Sequence, residues 1–277
     1  MGKLVNLITL CCSLLTASTA LSQSAPAAAL AQGANYVALG SSFAAGPGIP
    51  EPLGVCGRSD HNYPNLIATA LDLNLIDVSC NGATTDNILD TPQNGAAPQI
   101  DAIGPDTALV TVTIGGNDIN YTSSTFACAG TAPSERCTAN LDQAAISAAV
   151  NQLPAKLGAT FDAIKARAPQ ATIVLVAYPR VFPEDAANCS ELELSAEDTN
   201  YLATLGQQLE DTFVSTAANH QILIADAYVR AAGHGPCAAA ERWVNGNAVA
   251  DTGIRYHPTA EGHIEMARLV LTAMGHN

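Results

Sequence analysis

Three short segments hold the side chains best suited to chemistry. Tyr36-Val-Ala-Leu-Gly-Ser-Ser-Phe-Ala-Ala-Gly46 ends an apolar run in Gly40 and places Ser41 and Ser42 in a turn. Gly115-Gly-Asn117-Asp118 closes a second apolar run, and His257-Pro258 stands near the C-terminus. Serine is a weak nucleophile until a base removes its proton, and histidine is the side chain suited to do so near neutral pH. Acyl transfer also needs donors for the developing oxyanion, commonly backbone N–H groups and an amide side chain. Ser42 and His257 fill the first pair of roles. The N–H groups of Ser42 and Gly82, with the Asn117 amide, fill the second. A glycine at 82 lets the backbone come close to a substrate.

Each part also has an ordinary reading. Gly-Ser-Ser by itself is a turn in most proteins. His61, His220, His234, His263 and His276 read as surface or cap residues, with no metal-ligand spacing. Asp118 reads as a turn-ordering side chain. Arg58 and Asp60 read as a salt-bridged loop.

The elements that must position these residues alternate between strand and helix. Apolar, β-rich runs occur at Tyr36–Leu39, Leu75–Val78, Ala108–Ile114, Thr172–Ala177 and Ile222–Ala225. Helical patterns lie between them: Pro64–Leu71; Asn140–Ala168, with Pro154 expected to break or kink it; and a third opened by Ser195 with Asp198 as a capping partner. A last helix begins near Pro258 and is expected to turn Ile264, Ala267, Val270 and Met274 inward. The stretches 119–138 and 179–194 are irregular and read as surface loops or small subdomains. This alternation predicts an α/β fold, a five-stranded, mostly parallel sheet with helices on both faces. In such sheets ligands bind beyond the carboxyl ends of the strands. Gly40-Ser-Ser42, Asn81-Gly82, Gly115–Asp118 and His257 all follow strands, so the four segments converge on one edge.

The chain has 277 residues, 48% hydrophobic and only 13% charged, a globular composition sufficient for one large domain. Residues 1–20 read as an export signal: Lys3, an apolar run from Leu4 to Ala17, then small residues. That run falls short of the ~20 residues a membrane span needs. Residues 21–34 read as a disordered or propeptide lead-in and 35–277 as the functional domain. Without the leader, whose only charge is Lys3, 10 basic face 25 acidic residues, a net −15 that disfavours nucleic acid and anionic membranes. Of eight cysteines, six remain after the signal: Cys56, Cys80, Cys128, Cys137, Cys189 and Cys237. An even number in an exported chain predicts three disulfides but leaves their connectivity open. Asn120 and Asn188 begin N-glycosylation sequons.

In this order the blocks resemble the SGNH (GDSL-type) hydrolases, over nearly the whole mature chain. The first block, usually Gly-Asp-Ser, is Gly40-Ser41-Ser42; Gly82 matches the second, and Gly115-Gly-Asn117-Asp118 the third. The resemblance implies a three-layer α/β/α, flavodoxin-like fold and a secreted serine esterase or lipase working as a monomer. It implies no cofactor or metal, and a small-molecule or lipid ester as substrate. Cys56-Gly-Arg-Ser-x-x-x-Tyr63-Pro64 and the cysteine spacing are similar to those of secreted lipase, esterase and phospholipase A members. Their pattern implies the pairs Cys56–Cys80, Cys128–Cys137 and Cys189–Cys237. The last block departs from Asp-x-x-His: Ile254 stands three before His257, and the nearest preceding aspartate is Asp251. The reading adopted is a Ser42–His257 dyad oriented by the Ile254 backbone carbonyl, with an Asp251 triad as the alternative. Two rival functions stand beside the esterase: a carbohydrate O-deacetylase on the same fold, and a non-catalytic glycan- or lipid-binding protein.

Overall fold

In the computed structural model, residues 2, 30–50, 52–129, 135–183, 189–250 and 252–276 are described. The proposed signal apart from Gly2, most of the lead-in, Asp251 and Asn188 lie outside them. In chain order the elements are β1 (Asn35–Gly40), α1 (Ser42–Ala45), β2 (Pro52–Leu53), β3 (Arg58–Ser59) and α2 (Tyr63–Leu71). There follow β4 (Asn74–Asp77), α3 (Thr85–Leu89), β5 (Thr107–Thr113), α4 (Tyr121–Ala129) and α5 (Gln143–Arg167). The chain ends with β6 (Thr172–Val176), α6 (Ala196–His220), β7 (Leu223–Ala225), α7 (Ala227–Arg230) and α8 (Ala260–Ala273).

Five strands form one parallel sheet in the order β4-β1-β5-β6-β7, and β2 pairs with β3 in a separate small hairpin. Successive strand residues point to opposite faces, so the central strands β1, β5 and β6 feed two cores. Val37, Leu39, Val110, Val112 and Leu175 pack with Leu153, Leu157 and Phe161 of α5 and Leu205, Leu209 and Phe213 of α6. Tyr36, Ala38, Leu109, Val174 and Val176 pack on the other face with Ile67 of α2 and Met266, Ala267 and Val270 of α8. Burial on both faces explains why the strands read as continuous apolar runs. The result is the three-layer SGNH-type arrangement expected from the sequence.

Local details differ from the sequence reading. Helix α5 runs through Pro154, held by the buried stripe Leu153, Leu157, Phe161 and Ile164. Residues 121–129 are a helix rather than a loop; its polar sequence (Tyr-Thr-Ser-Ser-Thr-Phe-Ala-Cys-Ala) carries little helical periodicity. On α8 the inward stripe is His263, Ala267, Val270 and Met274, whereas Ile264 is 47% exposed. Positions 263 and 267 share a helix face and 264 is turned away. His263 is therefore a core residue, not a surface one: its Nδ1 accepts the Tyr63 N–H at 3.1 Å and its ring stacks on Tyr63. Arg58 donates to the Ser79 carbonyl, while Asp60 pairs with His61 instead.

The disulfides are Cys56–Cys80, Cys128–Cys137 and Cys189–Cys237. The first ties the β2–β3 hairpin to the loop that carries Gly82. The backbone reinforces it, since Asn81 N–H donates to the Cys56 carbonyl.

Candidate active site

Strand β1 ends at Gly40 and the chain turns at once into α1, with Ser41 as its N-cap and Ser42 as its first residue. The first N–H groups of a helix have no intrahelical acceptor. Among the described residues, neither the Ser42 nor the Gly82 N–H has an intramolecular acceptor. Both are available to an oxyanion. Gly82 sits at φ 78°, a left-handed conformation that costs a glycine little and a side-chain-bearing residue more.

Asn117 follows β5 and lies against the Gly82 loop, its Nδ2 donating one hydrogen to the Ala83 carbonyl at 2.8 Å. The amide's second hydrogen is left for the site. Asp118 locks the same two loops together by accepting from Thr85 N–H and Oγ1. Its side chain is 1% exposed with Lys156 3.6 Å away, and burial raises its carboxyl pKa against these bonds. Asp118 thus ties its turn to Thr85 at the start of α3.

The Nε2 atom of His257 lies 2.8 Å from Ser42 Oγ, although 215 positions separate them in the chain. The other ring nitrogen, Nδ1, meets a backbone carbonyl at 2.8 Å, and that carbonyl belongs to Arg255. The expected Ile254 carbonyl is used differently: it accepts the His257 backbone N–H and the Asn245 side chain. The cause is Tyr256, which takes a left-handed φ of 54° and folds the carbonyl two residues back onto the ring. Tyr256 is held there by a 2.7 Å hydrogen bond from its hydroxyl to the Leu192 carbonyl and by edge contact with Phe126. Asp251 lies outside the described residues. With Nδ1–H donated to Arg255, a neutral imidazole presents its Nε2 lone pair to Ser42.

His257 is 1% exposed and lies between two aromatic rings, Phe43 at 4.7 Å and Phe126 at 5.8 Å. Burial pulls its pKa down to about 4, and the Arg255 carbonyl only partly offsets this. The imidazole is thus neutral, as a base must be, across the mildly acidic to alkaline range.

Several supporting residues carried no signal in the sequence. Buried Gln99 brackets Gly40, donating to its carbonyl and accepting from its N–H at 3.0 and 2.8 Å. Phe43, Phe126, Arg255 and Tyr256 surround the histidine. Asn120 is exposed at the start of α4.

Comparison with known proteins bears on the family of the chain. The GDSL-like Lipase/Acylhydrolase family matches residues 38–263. Lipase 2 of Streptomyces coelicolor is 33% identical over 87% of this chain and 86% of its own, and a Streptomyces rimosus lipase is 32% identical over 83% of each. Among solved structures, the extracellular lipase of Streptomyces rimosus superposes with a TM-score of 0.74 at 30% identity, covering 86% of this chain and 99% of that one. Phospholipase A1 from Streptomyces albidoflavus NA297 also gives 0.74, at 26% identity and with 87% and 99% covered. The match spans all four site segments, and the chain belongs to the GDSL-like lipase/acylhydrolase family.

Proposed function

We propose that this ester hydrolase is a secreted enzyme that works through an acyl-enzyme on Ser42. The observation that carries the reading is the 2.8 Å contact between His257 Nε2 and Ser42 Oγ, made by residues from opposite ends of the domain. His257 takes the hydroxyl proton as Ser42 Oγ attacks the ester carbonyl. The imidazolium so formed keeps its Nδ1–H on the Arg255 carbonyl. The Ser42 and Gly82 N–H groups and the Asn117 amide receive the oxyanion. As the tetrahedral intermediate collapses, the C–O bond to the alcohol breaks and His257 returns the proton to the leaving oxygen. Water then gives a proton to His257, attacks the acyl carbon, and releases the acid with Ser42 restored.

Secretion is supported by the export-type N-terminus, by three disulfides and by the extracellular lipase among the relatives. No helix among the described residues is long and apolar enough to cross a membrane. Rates on p-nitrophenyl esters of graded chain length, on phospholipids and on acetylated xylan test the substrate class. The reading expects turnover of simple or lipid carboxylic esters. Turnover confined to acetylated glycan would replace it with a deacetylase, and no turnover of any ester, with Ser42 unreactive, would leave a binding protein.

A further inference from the structure

Tyr178, two residues beyond β6, is 3% exposed, yet it does not serve the core alone. Its hydroxyl stands 3.0 Å from Ser41 Oγ and accepts the Gly116 N–H at 3.2 Å. These partners sit on two different loops, and each immediately precedes a residue of the oxyanion site: Ser41 precedes Ser42, and Gly116 precedes Asn117. Gly116 lies close against the hydroxyl end of the tyrosine ring, where an added Cβ would stand 2.4 Å from Cε2. The ring also contacts Phe43, 4.2 Å between ring centres, and Phe43 in turn packs on His257. Ser41 is also the position at which the chain departs from Gly-Asp-Ser, and among the described residues its hydroxyl bonds to Tyr178.

We propose that Tyr178 is a positioning residue whose hydroxyl sets the spacing between the Ser42 N–H and the Asn117 amide, so that both donors reach one oxyanion. This rests on the oxyanion roles assigned above. Removing the oxygen leaves the Gly116 N–H and the Ser41 hydroxyl buried without their partner, and each loop can then move independently of the other. Oxyanion stabilisation depends on donors already in place when charge develops, so the loss falls on the transition state rather than on substrate binding. Burial pushes the Tyr178 pKa up to about 12, which keeps the hydroxyl protonated throughout the working range.

The test compares Tyr178→Phe, Ser41→Ala and the double variant with the wild-type enzyme on a short p-nitrophenyl ester. For Tyr178→Phe, kcat is expected to fall by about 10- to 100-fold while KM changes by less than about threefold. The affinity for a trifluoromethyl ketone, which presents an oxyanion to the site, should weaken in parallel with kcat/KM. Ser41→Ala removes one of the two bonds, so a loss of roughly 3- to 10-fold is expected, and the double variant should be no worse than Tyr178→Phe. A Tyr178→Phe enzyme within twofold of wild-type kcat, or one that loses thermal stability with unchanged ketone affinity, overturns the proposal. If Tyr178→Phe does not fold, unaltered kcat and ketone affinity in Ser41→Ala overturn it instead. Fluorophosphonate labelling of the wild type separates the two levels: failure to modify Ser42 refutes the oxyanion and nucleophile assignment itself, whereas modified Ser42 with an unimpaired Tyr178→Phe refutes only the tyrosine's role.

Discussion

Lowering the pH tests the buried dyad most informatively, because the structure places its base in an unusual electrostatic setting. His257 has no carboxylate partner among the described residues, is enclosed by Phe43 and Phe126, and has its pKa pulled down to about 4. The acid limb of kcat/KM reports the ionisation of the free enzyme's base. At pH 5 a histidine of pKa about 4 is still ~90% neutral, whereas one at the usual value of about 6.5 is only ~3% neutral. The two cases differ about 30-fold in kcat/KM at pH 5 relative to pH 7.5. A triad carboxylate would stabilise the imidazolium and move the limb towards the higher value. Stability has to be controlled, and its sign is fixed. The folded-state values of His257 and His263, about 4 and about 3, lie below the unfolded one. Their contribution is therefore full above about pH 6.5 and is lost as the pH falls through the folded values, with His257 accounting for on the order of 3 kcal/mol. Initial rates should be taken by rapid dilution from neutral stock into acid, following proton release or quenched product. Activity at pH 5 close to its neutral value supports the reasoning. An acid limb centred between pH 6 and 7, in protein shown still folded, refutes it.

Three further outcomes follow from the same geometry. Asn117→Ala should lower kcat by about 10²- to 10³-fold with little change in KM, since it removes one of the proposed oxyanion donors; a change mainly in KM would assign the amide to ground-state binding. Asp251→Asn should leave kcat within about threefold, because the Arg255 carbonyl already holds Nδ1, whereas a loss near 10⁴-fold at unchanged stability would make Asp251 the third member of a triad. Glu210, buried in α6, has no hydrogen-bond partner for either carboxylate oxygen among the described residues, and burial pushes its pKa up to about 8. Its stabilising contribution is present below the unfolded value and is lost as pH rises through about 8. Glu210→Gln should therefore gain relative stability by about 1.4 kcal/mol per pH unit between roughly pH 5 and 8 in urea unfolding, and an equal difference at both pH values would contradict this.

What the sequence revealed was whatever rests on local chemistry. Alternating strand and helix patterns placed all five sheet strands to within about two residues; for the central β1, β5 and β6, burial on both faces leaves uninterrupted apolar runs. The segments of Ser42, Gly82, Asn117 and His257 could be placed at one sheet edge because each follows a strand or turn, and the fold does bring Ser42 and His257 together; their catalytic roles stand as proposals. The misreadings share one cause: tertiary contacts overrode local preference. A tyrosine in the left-handed region is not a local expectation, so the fold of Tyr256 that presents Arg255 rather than Ile254 to His257 could not be foreseen. It depends on Leu192, far away in the chain. The polarity of imidazole points to a surface or cap position for His263, yet the Tyr63 N–H gives it a buried partner. Gln99 and Tyr178 reach the site from 59 and 137 positions away along the chain, at spacings that no motif encodes.

The central claim, that Ser42 is the nucleophile activated by His257, is tested most directly by covalent labelling. Purified protein is treated with a fluorophosphonate, digested, and the modified residue located by mass spectrometry, alongside Ser42→Ala, Ser41→Ala and His257→Ala. The account predicts a single adduct on Ser42, absent in Ser42→Ala, strongly slowed in His257→Ala and retained in Ser41→Ala. An adduct on Ser41, or a His257→Ala protein labelled as fast as the wild type, would contradict it.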